Sequence, residues 1–124
     1  MSVQIKSHRD LIVGQKAMDL AVDVYRATDA FPKREDYALT SQIRRAVSSV
    51  PANIAEGQGR RKSGEYQQFL GHACGSLLEL DTHLELVCRL NYLTIEQHQF
   101  LCEKLNEVGR LINGLLRSLT STNI

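Results

Sequence analysis

Two stretches of this chain place an apolar residue at every third or fourth position through five successive steps. The first is Leu70, Ala73, Leu77, Leu80, Leu84 and Val87, and the second is Leu101, Leu105, Val108, Ile112, Leu115 and Leu119. This is the a/d pattern of α-helices packed at a shallow angle in a bundle. Between them Asn91-Tyr92-Leu93 breaks the pattern, and Thr94 follows with Gln97 three residues on. That pair reads as a capping box, in which the Thr94 hydroxyl accepts from the Gln97 amide and the Gln97 side chain returns to the cap. The two stretches are therefore expected to form an antiparallel helical hairpin.

Two more helices precede it. The first is expected from about Arg9 to Ala30, capped by Ser7, with Leu11, Met18, Ala21, Val22 and Tyr25 facing inward. It stops before Phe31-Pro32, because the residue preceding proline is pushed out of the α region. The second starts between Asp36 and Thr40, buries Leu39, Ile43, Ala46, Val50 and Ile54, and ends at Gly57. Gly57-Gln58-Gly59 is expected to supply positive-φ freedom at its exit, and Ser63 to cap the third helix. Pro51 lies inside the second helix, lacks an N–H and crowds the carbonyl of Val47, so a kink is expected there, with a full break as the alternative. Ser48, Ser49 and Asn53 stand close enough in sequence to satisfy the freed carbonyl. The fold class read from these patterns is all-α: an antiparallel up-down-up-down four-helix bundle, kinked in helix 2 at Pro51 and about 30–45 Å long. At 124 residues, positions 1–124 fit a single domain.

Composition narrows the class of protein. With 43% apolar and 23% charged residues the chain is neither a disordered tail nor a membrane span. No run of about 18 uncharged apolar residues occurs. The N-terminal MSVQIKSHRD has no apolar stretch leading to a small-residue cleavage site. Three cysteines without framework spacing fit reduced thiols. A cytoplasmic protein without membrane contact is the expectation.

The net charge of +1 conceals a segregation. Residues 33–62 carry seven basic side chains against three acids, a balance of +4, and residues 63–107 carry seven acids against Arg89 and Lys104, a balance of −5. Such asymmetry favours pairing of one half with the other, within or between subunits, unless both are simply solvated helix faces. Beside its apolar stripe the second helix bears a polar one: Gln42, Arg45, Ser49, Asn53, Glu56 and Arg60. The third helix repeats the arrangement with Glu65, His72, Ser76, Glu79 and His83. The two stripes could join through Arg45 and Glu79 in a charge-assisted network, inside one subunit or across an interface, or both could be solvated. Gly71 and Gly75 lie one turn apart in the third helix, where glycine costs about 1 kcal/mol against alanine. Close packing of another helix, beyond the four-helix core, is the expected reason.

Chemistry is sparse. A di-iron bundle needs Glu-x-x-His on two helices, and no Glu here has a His three residues later. Glu79 and His83 make at most half a metal site. His72 and His83 lie three turns apart, about 16 Å. Cys74, Cys88 and Cys102 lack CxxC spacing, and Cys88 and His98, which could approach across the hairpin, have no group to orient the imidazole. Phosphate-loop, G-x-S-x-G and dinucleotide motifs are absent. No catalytic residue, metal or cofactor is expected. What remains is Arg60-Arg61-Lys62, which in an up-down bundle shares an end with Lys6, Arg9 and Arg117. This basic end suits phosphate contacts, without the interleaved aromatics that stack bases, or else is a solvated turn.

Three stretches carry a resemblance: LIVGQKAMDLAVDVY, SQIRRAVSSVPANIAEGQGR and FLGHACGSLLELDTHLELVCRLNYL. The middle one is the most specific, through Gln42, Arg45, Ala46, Ser49, Pro51, Asn53, Ile54, Ala55, Glu56, Gly57, Gly59 and Arg60. Gly75, Ser76 and Glu79 add to it. From Leu11 to Leu93 the chain resembles the four-helix-bundle proteins encoded by intervening sequences of bacterial large-subunit (23S) ribosomal RNA genes. The resemblance implies an antiparallel four-helix bundle whose members assemble into pentameric rings. It also implies kinship with the accessory variability proteins of diversity-generating retroelements, which are associated with nucleic acid and a reverse transcriptase. The resulting expectation is a non-enzymatic homo-oligomeric scaffold or adaptor, a pentamer, with RNA or DNA, or a protein–RNA complex, as partner at the basic end. The alternative is a protein-interaction module with no nucleic-acid role.

Overall fold

The computed structural model describes residues 7–121, so Lys6, expected at the basic end, lies outside the described residues. Four helices follow one another: α1 (His8–Thr28), α2 (Leu39–Gln58), α3 (Ser63–Arg89) and α4 (Ile95–Ser121), with a single 3-10 turn at Lys33–Glu35 between the first two. α1 packs on α2 and α4 and α3 packs on the same two, while no close backbone approach joins the diagonal pairs. The helices therefore stand at the corners of a square in chain order. Side-chain contacts set their directions. Gln58 at the end of α2 donates to the carbonyl of Asp10 at the start of α1 (2.7 Å), while Arg44 near the start of α2 donates to Thr28 at the end of α1 (2.9 Å). Across α2 and α3, Ser49 meets Ser76 and Gln42 meets His83. Lys104 reaches Asp23, and Lys16 reaches Glu107. Each of these neighbouring pairs runs antiparallel.

The core is built where the 3/4 spacing puts it in α3 and α4: Leu70, Ala73, Leu77, Leu80, Leu84 and Val87 face Leu101, Leu105, Val108, Ile112 and Leu115, all buried. Leu119 packs at the margin. α2 buries Ile43, Ala46, Val47, Val50 and Ile54. Full burial of each large aliphatic side chain contributes about 1.5–3 kcal/mol, more than any helix cap at about 1 kcal/mol, so these seams decide the architecture.

α1 turns a different face inward from the one expected. Val13, Ala17, Leu20, Ala21 and Val24 are buried, whereas Leu11, Met18, Val22 and Tyr25 stay exposed. α1 carries two apolar lines about a third of a turn apart, and periodicity satisfies both. The inner line is the one that α2 and α4 flank, and it carries Asp10 and Thr28 into the interior with it.

The caps divide in the same way. Ser7 accepts from the Asp10 amide, and Thr94 and Gln97 exchange both hydrogen bonds of a capping box (2.8 and 3.0 Å). Ser63, expected as a cap, is instead the first residue of α3 and accepts from Gln67. α3 ends on Asn91 at φ 64°, with the Tyr92 amide donating to Val87 and the Asn91 amide to Cys88, a Schellman closure with Asn in the left-handed position. α2 runs through Pro51 as one helix, which removes the full break. Ser48, Ser49 and Asn53 donate to the carbonyls of Arg45, Ala46 and Ser49, not to that of Val47, because each side chain reaches the carbonyl three or four residues before it.

No described glycine has positive φ, so the freedom expected at Gly57-Gln58-Gly59 is not what the exit of α2 uses. Gly57 is needed for space instead. A Cβ there would lie 2.8 Å from the Tyr66 ring and 2.9 Å from the Phe69 Cβ. Gly57→Ala is expected to destabilise the fold by about 1–3 kcal/mol through this overpacking. Urea denaturation measures it, and an unchanged midpoint would show that α2 and α3 can part without cost.

Candidate nucleic-acid interface at the basic end

Where α2 passes into α3, three helix ends are tied together around one buried carboxylate. Asp10 is 4% exposed, and its carboxylate accepts from the Tyr66 hydroxyl (2.5 Å) and from Ser7 (3.1 Å). Gln58 donates to the Asp10 carbonyl and also reaches the Tyr66 oxygen (3.4 Å). α1 begins, α2 ends and α3 begins at this point. Burial, together with the hydrogen bond to Asp10, pushes the Tyr66 phenol far above its ordinary value, so it stays a donor.

The cations expected here are placed on that base, in unequal states. Arg60 is partly buried, bonds Glu56 (3.2 Å) and stacks its guanidinium 4.8 Å from the Phe69 ring centre. Arg61 and Lys62 are exposed on the turn. Arg9 lines a shallow groove between α1 and α4 together with Arg110 and Arg117. Arg110 was missed by the sequence reading. Its signal was the seven-residue spacing from Arg117, two turns along one side of α4.

The two polar stripes meet along the α2–α3 seam of one subunit. Ser49 and Ser76 are 2.5 Å apart, Gln42 and His83 2.9 Å, and Asn53 turns back to the Ser49 carbonyl. Arg45 and Glu79 are both exposed and no ion pair joins them, while Glu56 is taken by Arg60. The seam is closed by small neutral groups, so these longer side chains extend past it. Gly71 and Gly75 do not mark close packing inside the chain, since a Cβ at either would meet nothing within 4 Å.

His83 and His98 are engaged within the bundle. Both ring nitrogens of His83 have partners, the Glu79 carbonyl (2.8 Å) and Gln42. His98 contacts Cys102 (3.3 Å), one turn along its own helix, and not Cys88 as the hairpin suggested. Burial pushes the Cys102 thiol up, and Asp81 and Glu85 push it further; burial alone raises Cys74. Both thiols are thereby held away from the thiolate form. Among the described residues no group of three or more His, Cys, Asp or Glu is arranged to hold a metal ion. No helix among them is long and apolar enough to cross a membrane.

The Tyr66–Asp10 bond has a measurable signature. Tyr66→Phe leaves a buried carboxylate short of its phenol donor, and a loss of about 1–3 kcal/mol is expected in denaturant titration. The wild type should also lose stability as pH rises above 10.0, the ordinary phenol value, because the unfolded chain then ionises Tyr66 while the folded chain holds the proton. This contribution to the alkaline slope is absent in Tyr66→Phe. An identical slope in both proteins would contradict the raised phenol.

The comparisons agree with this architecture. A crystal structure of a protein of unknown function from the S23 ribosomal protein family of Bacteroides thetaiotaomicron VPI-5482 superposes with a TM-score of 0.81. It shares 24% identity, covering 88% of this chain and 98% of that one, a likeness of fold. No curated protein sequence matches. The sequence model of the 23S rRNA-intervening sequence protein family matches residues 9–114, and the chain belongs to that family.

Proposed function

We propose that the protein is a non-enzymatic, homo-oligomeric scaffold, a pentamer, that holds RNA or a protein–RNA complex at the basic end of its bundle. The observation that carries this reading is the gathering of cations around the Asp10–Tyr66–Gln58 tie. Arg61 and Lys62 project from the α2–α3 turn, and Arg9, Arg110 and Arg117 lie along the adjoining α1–α4 groove. A rigid base matters for such a contact, because cations already held in place lose less freedom on binding. With no aromatic side chain interleaved in the turn, contacts go to phosphates, and recognition is tolerant of sequence. DNA would satisfy the same cations; the family's link to ribosomal RNA genes favours RNA. The compartment consistent with this role is the cytoplasm.

A protein-interaction role without nucleic acid is the second reading. It is favoured by the open outer side of α3, where Gly71 and Gly75 have no neighbour and Leu78 is exposed. The two readings part in one experiment. Wild-type protein should bind single-stranded RNA with an affinity that falls steeply with salt, and the Arg60→Ala/Arg61→Ala/Lys62→Ala variant should bind more weakly. Its log–log salt dependence should be shallower by about 1.4, the loss of the two exposed phosphate contacts of Arg61 and Lys62 at about 0.7 each. Binding unchanged in the triple variant removes the basic end from the function and leaves the second reading.

A further inference from the structure

The turn between α2 and α3 carries no aromatic residue, but α3 brings one back beside it. Phe69 packs against α2 where Gly57 leaves room, and a Cβ at position 57 would come within 2.9 Å of its own. The His72 ring meets Phe69 edge-on, with ring centres 5.9 Å apart. Over the Phe69 ring lies the Arg60 guanidinium, 4.8 Å from its centre. Arg60 is held from two further directions. Its backbone amide donates to the Gly57 carbonyl (3.0 Å), and its Nη2 donates to the Glu56 carboxylate (3.2 Å).

This arrangement separates Arg60 from the next two cations in the chain. Arg61 and Lys62 are exposed and turn their charge to solvent. The charge of Arg60 is already matched by Glu56, so a phosphate gains less there than at Arg61 or Lys62. What Arg60 still offers is its planar group. Phe69 covers one side of it, and 41% of the side chain remains exposed. A guanidinium resting on an aromatic ring can receive a second flat ring on its outer side, at low cost when its position is already fixed. Nucleobases are such rings, and their faces are accessible where they are unpaired. Glu65, exposed in the first turn of α3 and one turn before Phe69, disfavours phosphates along α3 and leaves them to Arg61 and Lys62.

We infer that Arg60, backed by Phe69, is a stacking plane for an unpaired base, while Arg61 and Lys62 hold the neighbouring phosphates. The inference rests on the nucleic-acid reading above and names its ligand, a single-stranded segment of RNA and not a duplex. Stacking asks only for a flat ring, so recognition stays tolerant of sequence. Glu56 gains a part in the same arrangement: it positions the guanidinium over Phe69 and removes Arg60 from the set of phosphate contacts.

Fluorescence anisotropy on the full-length chain tests it with three labelled probes: a single-stranded RNA, the same strand annealed to its complement, and the same strand with abasic residues. The wild type should bind the intact single strand about tenfold more tightly than the abasic one, the contribution of one stacked base. Arg60→Lys keeps the charge and loses the plane. It should bind the intact strand about tenfold more weakly with an unchanged salt slope, and the duplex as the wild type does. Arg61→Ala/Lys62→Ala should instead flatten the slope. Circular dichroism checks that Arg60→Lys folds; should it fail to, the abasic comparison decides with the wild type alone. Equal binding of intact and abasic strands, wild-type affinity in Arg60→Lys, or an equal loss on the duplex overturns the stacking plane while leaving the phosphate contacts in place. A wild type that binds none of the probes overturns the nucleic-acid reading itself.

Discussion

The arrangement of this bundle depends on how closely α2 comes to α3 at Gly57. With no Cβ in the way, the Tyr66 ring and Phe69 pack directly against the α2 backbone. The approach has consequences at both ends of the seam. At the near end it brings the Tyr66 hydroxyl to Asp10 and Arg60 over Phe69, so the turn bearing Arg61 and Lys62 leaves a fixed base. Further along, the antiparallel register begun at Gly57 delivers Ser49 to Ser76 and then Gln42 to His83. A side chain at 57 would push the seam apart at the end where Tyr66 reaches Asp10.

The buried polar groups are better understood as specifying than as stabilising. A typical hydrogen bond contributes about 0.5–1.5 kcal/mol net, far less than the apolar seams, but a buried carboxylate without donors would cost more than that. Asp10 therefore excludes alternatives: a bundle in which α1 is rotated by a third of a turn would bury Met18 and Tyr25 but lose the only contacts that make Asp10 tolerable inside. Thr28 acts likewise at the other end of α1, bonded to the Tyr25 carbonyl and to Arg44. The orientation of α1 is thus fixed by two polar residues at its ends, while its apolar content is ambiguous.

That ambiguity explains which parts of the structure were legible in the sequence. The α3–α4 hairpin was, because six-residue apolar lines and a capping box admit one reading. So was the position of the 2–3 turn, since short loops in an up-down bundle force it to share an end with the start of α1. The inward face of α1 was not, because two apolar lines satisfy the same period and only the packed neighbours choose between them. The reason for Gly57 was equally hidden. Glycine at a helix exit suggests a left-handed turn, and the steric demand comes from Tyr66 and Phe69 on the next helix, whose distance no local pattern encodes. Arg45 and Glu79 have matching positions on two stripes, yet a seam closed by serines leaves both pointing past it.

A near-neutral chain whose cations and acids are concentrated in different segments behaves unlike one with a uniform basic surface. In the proposed oligomer, copies packed side by side would leave Arg61 and Lys62 exposed, because the α2–α3 turn lies at the end of the bundle and not on its flanks. Cyclic symmetry of that proposed oligomer about an axis along the bundle would place every basic end on the same rim. A single end offers few cations and would hold phosphates weakly at physiological salt. Several ends on one rim would engage one strand together, and each further contact would become intramolecular, raising avidity by orders of magnitude without any new contact type. In the proposed scaffold the flanks of the bundle would make the assembly and its end would take the ligand, so the overall charge of the chain would predict neither.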